Sequence, residues 1–325
     1  MATIKDVAAL AGVTPTTVSR CINNRGYIKD ETKQKIQKAM EELGYRPNGV
    51  ARALSKQTTD TIAVIVPHIT HPYFATLISK LEQSANAHGF KMFLMSSRED
   101  DARKESYLKM SLDSRVSGII VCSEEIESQN LQKYGTPVVE IETHANPNTP
   151  HIICDNKEGG RLAAKALIDA GCRNLLHIGG IEDAHVPADD RALGFRETCE
   201  ASNVKHSEVS YPSRVYSSLD YMKYIEEILS KFPDIDGIFA SSDLIAAQVC
   251  QVARRMGRII PGDLKLIGFD GVYISEMATP SITTIRQPLS EMAEAAVSII
   301  DAIQNNRPYE SEHIFPVELI RRETL

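Results

Sequence analysis

The chain has 325 residues, of which 42% are hydrophobic and 24% are charged, so it is long enough for two or three domains with buried cores. No segment approaches the roughly 18 consecutive apolar residues of a membrane-spanning helix, and the first ten residues lack the apolar run of a signal peptide. These properties favour a cytoplasmic protein with no membrane partner. The six cysteines lack CxxC spacing, and we interpret them as buried reduced thiols rather than disulfides or metal ligands.

The charge is unevenly distributed along the chain. Residues 1–60 contain ten Lys and Arg against six Asp and Glu, whereas the other 265 residues contain 26 against 37. A basic N-terminal segment before an acidic remainder is typical of a module that binds a polyanion and is fused to a domain with another role.

The first 45 residues predict three short helices. They are Ile4–Ala11, Pro15 to about Asn23, and Asp30–Leu43. Thr3 and Thr14 can cap the first two helices with their side-chain oxygens, and Pro15 occupies a first helical position, where no amide hydrogen is needed. Gly12 allows a tight turn between these two helices.

One small apolar core is predicted beneath these helices. Its members are Val7, Leu10, Val13, Val18, Ile22, Ile36, Met40 and Leu43. This spacing leaves Pro15, Thr16, Thr17 and Arg20 on the outer face of the second helix. Two helices joined by a glycine turn predict a helix-turn-helix whose second helix fits the DNA major groove. The alternative is a helical hairpin that only packs on a larger domain, and the local basic charge favours the DNA-binding interpretation.

The motifs DVAALAGVTPTTVSRCIN and ETKQKIQKAMEELGYRPNGVARAL resemble the DNA-binding head of the LacI/GalR family of bacterial transcriptional regulators. The similarity is nearly continuous over the first 60 residues. It implies a helix-turn-helix domain over residues 1–46. The head residues that it implies for DNA contact are Thr3, Thr14, Pro15, Thr16, Thr17, Ser19, Arg20 and Asn23.

The resemblance also implies a hinge over residues 47–60. In the family this segment folds on DNA, and paired hinges insert a leucine into the minor groove. Leu54 matches that leucine, and Asn48, Ala51 and Arg52 accompany it as expected DNA contacts. Gly49 departs from good helix propensity, so the order of this hinge should depend more on DNA. The alternative is a plain linker.

From residue 61 onwards, apolar β-branched runs alternate with amphipathic helices, which predicts parallel sheets covered on both faces. The predicted strands are 61–67, 91–97, 118–123, 137–142, 151–156, 174–180, 207–212, 237–242, 264–271, 283–288 and 313–319. The predicted helices are 72–89, 101–115, about 125–133, 157–171, 188–202, 219–233, 243–257 and 289–305.

The predicted fold class is therefore α/β, with the three-helix head and hinge followed by two doubly wound subdomains. The layout resembles the sugar-binding core shared by this family and periplasmic binding proteins. That resemblance implies three crossings, near 156–157, 287–288 and 309–312. The corresponding subdomains cover 61–156 with 288–309, and 157–287 with 312–325.

Polar and aromatic residues follow several of the predicted strands, where doubly wound sheets bind small molecules. Tyr73 and Phe74 follow the first strand and suit the apolar face of a sugar ring, although Phe74 alone would also fit the core of its helix. Arg191 matches a family arginine that holds ligand hydroxyls in the cleft, Asp270 matches a cleft aspartate, and Tyr216 matches a cleft aromatic residue. The remaining expected effector contacts are Ser242 and Asp243.

These features predict a ligand-responsive regulator, most simply a repressor of a carbohydrate operon. A small sugar or sugar phosphate would bind in the cleft, with double-stranded operator DNA as the other partner. Because no leucine-rich helix follows the final strand, we expect a homodimer rather than a tetramer. The alternatives are a sugar-binding carrier, or a purine- or phosphocarrier-controlled regulator of the same fold. An enzyme is disfavoured because no nucleophile elbow, phosphate-binding loop or metal cluster occurs, and no cofactor or metal is expected.

Overall fold

The computed structural model describes residues 2–22, 26–45, 59–97, 100–122, 135–143, 149–182 and 186–325. Within it the chain forms two compact units, Met1–Thr59 and Asp60–Leu325. We call them the head and the core.

The described part of the head contains three helices, α1 (Ile4–Ala11), α2 (Pro15–Ile22) and α3 (Asp30–Glu42). Thr3 begins α1 and donates its amide and hydroxyl hydrogens to the Asp6 carboxylate, both at 2.8 Å. These bonds lower the pKa of Asp6. Gly12 has φ 66°, which a residue with a side chain rarely adopts, and it turns the chain into α2. The Thr14 hydroxyl accepts the Thr17 amide hydrogen at 3.2 Å, as expected for a cap.

Two residues predicted for the head core are exposed. Leu10 is 47% exposed and Leu43 is 36% exposed. On α1, residues 4, 7, 8 and 11 face the core of the head, so Ala8 packs there instead of Leu10. Leu43 is the C-cap residue of α3, one position beyond the end of the helix, and its side chain is not covered by the helices of the head.

The core contains two six-stranded sheets. The strands are β1 (Thr61–Val66), β2 (Lys91–Ser96), β3 (Gly118–Val121), β4 (Val138–Ile141), β5 (His151–Cys154), β6 (Asn174–Ile181), β7 (Lys205–Tyr211), β8 (Gly237–Ala240), β9 (Lys265–Asp270), β10 (Thr283–Arg286), β11 (Glu312–Phe315) and β12 (Glu318–Ile320). The first sheet has the order β11-β5-β4-β3-β1-β2 and the second β12-β10-β9-β8-β6-β7. All pairs are parallel except β10 with β12. The two doubly wound sheets of the predicted α/β fold are therefore confirmed.

The described core helices cover the sheets. They are α4 (Pro72–Ala87), α5 (Asp101–Asp113), α6 (Asn156–Asp169), α7 (Asp190–Ala201), α8 (Ser213–Ser218), α9 (Met222–Lys231), α10 (Asp243–Arg255), α11 (Tyr273–Met277) and α12 (Leu289–Gln304), with a 3-10 turn at Pro187–Asp189 before α7. Strands β1, β3, β4 and β8 are buried throughout, which explains their largely apolar sequences. Thr61 and Glu140 are the polar exceptions. Helices α8 and α11 were not predicted, and the helix predicted near 125–133 lies outside the described residues.

The single final strand predicted over residues 313–319 is wrong. The structure has β11 on the edge of the first sheet and β12 on the edge of the second. Pro316 lies between them, and because proline has no amide hydrogen it interrupts the strand. The third crossing therefore lies at 316–317 rather than at 309–312, and residues 312–315 pair with the first sheet.

Helices α6 and α7 approach each other through two glycines. A Cβ on Gly160 would lie 2.0 Å from the Arg191 carbonyl oxygen, and one on Gly194 would lie 1.9 Å from the Lys157 carbonyl oxygen. Both obstacles are backbone atoms, so the helices touch where side chains are absent. This contact fixes the position of Arg191 in the first turn of α7.

Candidate functional site

A cavity of about 370 Å³ lies between the two sheets of the core. The first sheet and its connections contribute Tyr73, Phe74 and Glu142 to its lining, and the second contributes Arg191 and Asp270, among others. The volume is within the range of small-molecule sites. A ligand in this cavity would contact both halves of the core.

Arg191 is 6% exposed and its guanidinium is held from several sides. Its Nε donates to Asn156 Oδ1 at 2.8 Å, and its Nη1 donates to the Ser241 carbonyl oxygen at 2.7 Å. The planar group lies 3.6 Å from the centroid of the Phe269 ring. Its remaining nitrogen, Nη2, lies 4.0 Å from Glu142 Oε2. The Arg191 guanidinium is thus pre-organised, and its Nη2 is left to donate to a ligand or to Glu142.

Glu142 belongs to the half of the cavity opposite Arg191. Its Oε1 accepts the Cys154 amide hydrogen at 2.5 Å and its Oε2 accepts the Asn156 side-chain amide at 2.9 Å. Asn156 therefore bridges Glu142 and Arg191 at the point where the chain passes from the first sheet to the second.

Asp270 ends β9 with φ 107°, a conformation that few residues other than glycine adopt. Its Oδ1 accepts the Gln287 side-chain amide at 2.9 Å. Burial raises the pKa of the Asp270 carboxyl well above its usual value, and the Arg191 guanidinium only partly opposes this effect. The strained backbone turns a carboxyl group into the cavity beside Arg191, as is common at binding sites.

Aromatic rings form the walls of the cavity. Tyr73 and Phe74 are in edge contact, with centroids 5.0 Å apart. On the opposite side, Tyr211 stacks on Tyr216 at 6.5 Å, and the His68 ring meets Tyr216 edge-on at 5.3 Å across the cleft. Such walls provide apolar area against which a sugar ring can pack.

The structure brings together six of the seven predicted effector residues. The six that line the cavity are Tyr73, Phe74, Arg191, Tyr216, Ser242 and Asp270. Asp243 does not line it: its side chain is fully buried behind the wall, where Oδ2 accepts the Val272 amide hydrogen at 2.8 Å. Ser242 caps α10 and faces the cavity, whereas Asp243 is the first helical residue and points into the sheet. We therefore interpret Asp243 as a structural residue.

Sequence reasoning missed Glu142, Gln287 and Tyr211, which also line the cavity. Each stands at or just after the carboxyl end of a parallel strand, the position used to select Arg191 and Asp270. Glu142 directly follows an apolar strand and was counted as part of that strand. A polar residue at the end of an apolar run, such as Glu142, could have been recognised in the sequence as a candidate for the cavity lining.

Burial raises the pKa of Asp243 to about 7. The folded state therefore binds this proton more tightly than the unfolded state, so the contribution to stability is present at acidic pH and is lost as pH rises from about 4 through 7. Asp243→Asn should remove much of this dependence, because an amide oxygen can still accept from Val272. Urea unfolding between pH 5 and 8.5 measures this effect. We expect the midpoint of the wild type to fall with pH more steeply than that of the variant, and equal slopes would contradict the assignment.

The outer face of α2 is available for contacts. Pro15, Thr16 and Arg20 are exposed, and Thr17 and Ser19 are partly exposed. Thr3 and Thr14 are exposed at the starts of α1 and α2. The expected contacts Asn23, Asn48, Ala51, Arg52 and Leu54 lie outside the described residues, as does the hinge except for its last two residues, 59 and 60.

Among the residues that the structure describes, no group of His, Cys, Asp and Glu side chains is arranged to hold a metal ion. In the same part of the chain, no helix is both long and apolar enough to cross a membrane. The five core cysteines are buried thiols, and Cys21 in the head is partly exposed.

The sequence matches two family models: bacterial regulatory proteins of the lacI family over residues 3–48, and the periplasmic binding protein-like domain over residues 164–325. The sucrose operon repressor of Streptococcus mutans is 35% identical over all of both chains. The ribose operon repressor of Halalkalibacterium halodurans is 33% identical over all of this chain and 97% of its own. A periplasmic binding protein/LacI transcriptional regulator from Alkaliphilus metalliredigens, solved with D-xylulofuranose, is 32% identical, with a TM-score of 0.72 over 82% of this chain and 98% of its own.

A helix-turn-helix head joined to a periplasmic-binding-protein-like core defines a class of ligand-linked DNA-binding proteins. With relatives above 30% identity over its full length, the chain belongs to the LacI family of bacterial transcriptional regulators.

Proposed function

We propose that the protein represses a carbohydrate-utilisation operon and that a small sugar bound in the core cavity controls its affinity for operator DNA. The observation that carries this proposal is the cavity itself, which joins Arg191 and Asp270 of one sheet to Tyr73 and Glu142 of the other. The relatives support the sugar class, since they are named for sucrose and ribose operons and one neighbour was solved with D-xylulofuranose.

The proposed coupling follows from differential affinity. A ligand that contacts both sheets binds more tightly to one relative arrangement of the two sheets, whereas a ligand on one sheet alone favours neither. Because the chain crosses between the sheets three times, a change in their arrangement is transmitted through the whole core. Binding of sugar and binding of DNA then share one coupling free energy and affect each other reciprocally.

We propose that the cavity binds its ligand without chemical conversion, in the cytoplasm where operator DNA lies. The relatives are repressors, and the polar groups at the inner end of the cavity are held in mutual hydrogen bonds. The buried side chain of His71, a possible general base, instead accepts the Tyr73 amide hydrogen.

The experiment that tests the DNA role is selection of a binding sequence from random duplexes, followed by anisotropy titration of the selected site. Arg20→Ala should weaken specific binding about 5- to 150-fold, since a good contact between a side chain and a base edge contributes about 1–3 kcal/mol. Lys35→Ala is the matched control, because this exposed lysine pairs with Glu31 on α3. Failure to select any sequence, or equal losses in both variants, would contradict the proposal.

We further propose that the protein acts as a homodimer built through the core. Exposed apolar side chains occur on both halves of the core: Phe93, Leu94 and Met110 on the first, and Ile259, Tyr273 and Met277 on the second. These side chains are candidates for burial in a dimer interface, and two-fold symmetry matches the paired half-sites that helix-turn-helix proteins bind. Sedimentation equilibrium at micromolar concentration without DNA should show a dimer, and a monomer or tetramer would contradict this prediction.

A further inference from the structure

We infer that the cavity selects an uncharged polyhydroxylated ligand and rejects the phosphate ester of the same sugar. This inference rests on the proposed function, because it specifies the class of effector. It goes beyond that function because the fold and the relatives leave the charge of the ligand open.

The charge of the cavity lining disfavours an anionic ligand. Among the described residues that line the cavity, the carboxyl groups are those of Glu142, Glu182, Asp189 and Asp270, and the cations are Lys104 and Arg191. Burial raises the pKa of the Asp270 carboxyl well above its usual value, so only the other three carboxyl groups are counted as negative charges. His71 does not add a third cation, since burial lowers its pKa to about 3. A phosphate monoester carries nearly two negative charges at neutral pH, so it would enter a cavity in which carboxyl groups already outnumber cations.

The helix N-termini at the cavity are capped by side chains, whereas phosphate binds N-termini through free amide hydrogens. The N-terminus of α4 is capped, because His71 Nδ1 accepts the Tyr73 amide hydrogen at 3.2 Å. The N-terminus of α10 is capped in the same way, because the Ser242 hydroxyl accepts the Ile245 amide hydrogen at 3.2 Å. At the 3-10 turn before α7, the Asp189 carboxylate accepts the Val186 amide hydrogen at 2.9 Å and adds a negative charge.

Two polar atoms at the cavity have no partner among the described residues. Gln287 Oε1 and the Tyr73 hydroxyl are buried atoms of cavity-lining residues, and neither has a hydrogen-bond partner in that part of the chain. Gln287 Oε1 can only accept, so any ligand group that pairs with it must be a donor. A sugar hydroxyl supplies both a donor and an acceptor, whereas the oxygens of an ionised phosphate supply acceptors almost exclusively. The unpartnered atoms therefore fit hydroxyl groups.

The test compares free sugars with their own phosphate esters by isothermal titration calorimetry on the full chain. The pairs are D-ribose with D-ribose 5-phosphate, D-fructose with D-fructose 6-phosphate, and D-xylulose with D-xylulose 5-phosphate, and sucrose is added alone. We expect at least one free sugar to bind, and its ester to bind about 10-fold more weakly or not at all. The reason is that the negative phosphate of the ester would be repelled by the carboxylates of a partly buried site.

Two sets of variants identify the cause. Tyr73→Phe should weaken binding of the free sugar about 2- to 10-fold, the value of one neutral hydrogen bond. Tyr224→Phe is its control, because that hydroxyl donates to the Ser210 carbonyl and Tyr224 does not line the cavity. The double variant Glu182→Gln/Asp189→Asn should narrow the difference in affinity between ester and free sugar, because two negative charges are removed from the lining. The amide introduced at position 189 keeps an oxygen that can accept the Val186 amide hydrogen, so the local structure should persist.

The outcomes separate this inference from the proposed function. An ester that binds more tightly than its free sugar overturns the inference alone and leaves a sugar-controlled repressor. No binding by any of the seven probes overturns the sugar assignment and this inference with it, while operator binding tests the regulator independently. An unchanged ratio of ester to sugar affinity in the double variant overturns the electrostatic argument.

Discussion

Gly194→Ala should destabilise the core by about 3 kcal/mol or more, the upper end of the cost of overpacking. The new methyl group would lie 1.9 Å from the Lys157 carbonyl oxygen, and the backbone of α6 cannot turn aside as a flexible side chain could. Gly160→Ala should have a similar effect, because its methyl group would lie 2.0 Å from the carbonyl oxygen of Arg191 itself. Urea unfolding followed by circular dichroism measures both changes.

The matched control for the glycine pair is Gly262→Ala. A Cβ there would lie 3.3 Å from the Ile259 side chain, and Gly262 does not have positive φ. We expect its unfolding free energy to change by less than about 1 kcal/mol. Equal stabilities of Gly194→Ala and the wild type would show that α6 and α7 separate easily and that their contact does not fix Arg191.

Arg191→Ala and Asp270→Ala should each abolish the response to sugar at concentrations that release the wild type from operator. Hydrogen bonds to charged groups contribute about 1.5–3 kcal/mol, so each loss should weaken effector binding about 10- to 150-fold. Arg191→Lys should recover little of this loss, because lysine lacks the planar donor fork that bonds Asn156 and Ser241 together. Titration of sugar into the preformed complex of protein and operator measures the response.

Arg196→Ala is the control for these substitutions. Arg196 lies on the same helix as Arg191 but pairs with Glu208 at 2.9 Å and does not line the cavity. Its response should match that of the wild type, and all variants should retain operator affinity without sugar. Wild-type responses in both Arg191→Ala and Asp270→Ala would place the effector site elsewhere.

Much of the core could be predicted from the sequence, for a physical reason. Strands β1, β3, β4 and β8 are buried on both faces, and their largely apolar sequences mark them as interior strands of parallel sheets. The strand pattern placed the site, because parallel strands bring their carboxyl ends together at one edge of a sheet. Within it, the resemblance to the family singled out Arg191, which follows β6 in the first turn of α7, and Asp270, which ends β9.

The sequence could not predict which of two neighbouring side chains faces the cavity or the core. Ser242 and Asp243 are adjacent and both polar, yet the start of α10 turns one towards the cavity and the other into the sheet. Leu10 and Ala8 differ by two positions on α1, and the larger side chain is the exposed one. The direction of each side chain depends on where its helix begins and on the elements packed against that helix, and residue type alone does not predict either.

The division of β11 and β12 by Pro316 has a consequence for synthesis. One short segment, residues 312–320, supplies an edge strand to each sheet, and nearby Thr324 is fully buried, with its hydroxyl donating to the Leu266 carbonyl oxygen at 2.7 Å. Neither sheet can therefore be completed on the ribosome until this segment has emerged, although residues 2–45 carry a core of their own and can fold much earlier. During translation, a folded DNA-binding head would be followed by an unfinished core, the kind of intermediate on which chaperones act.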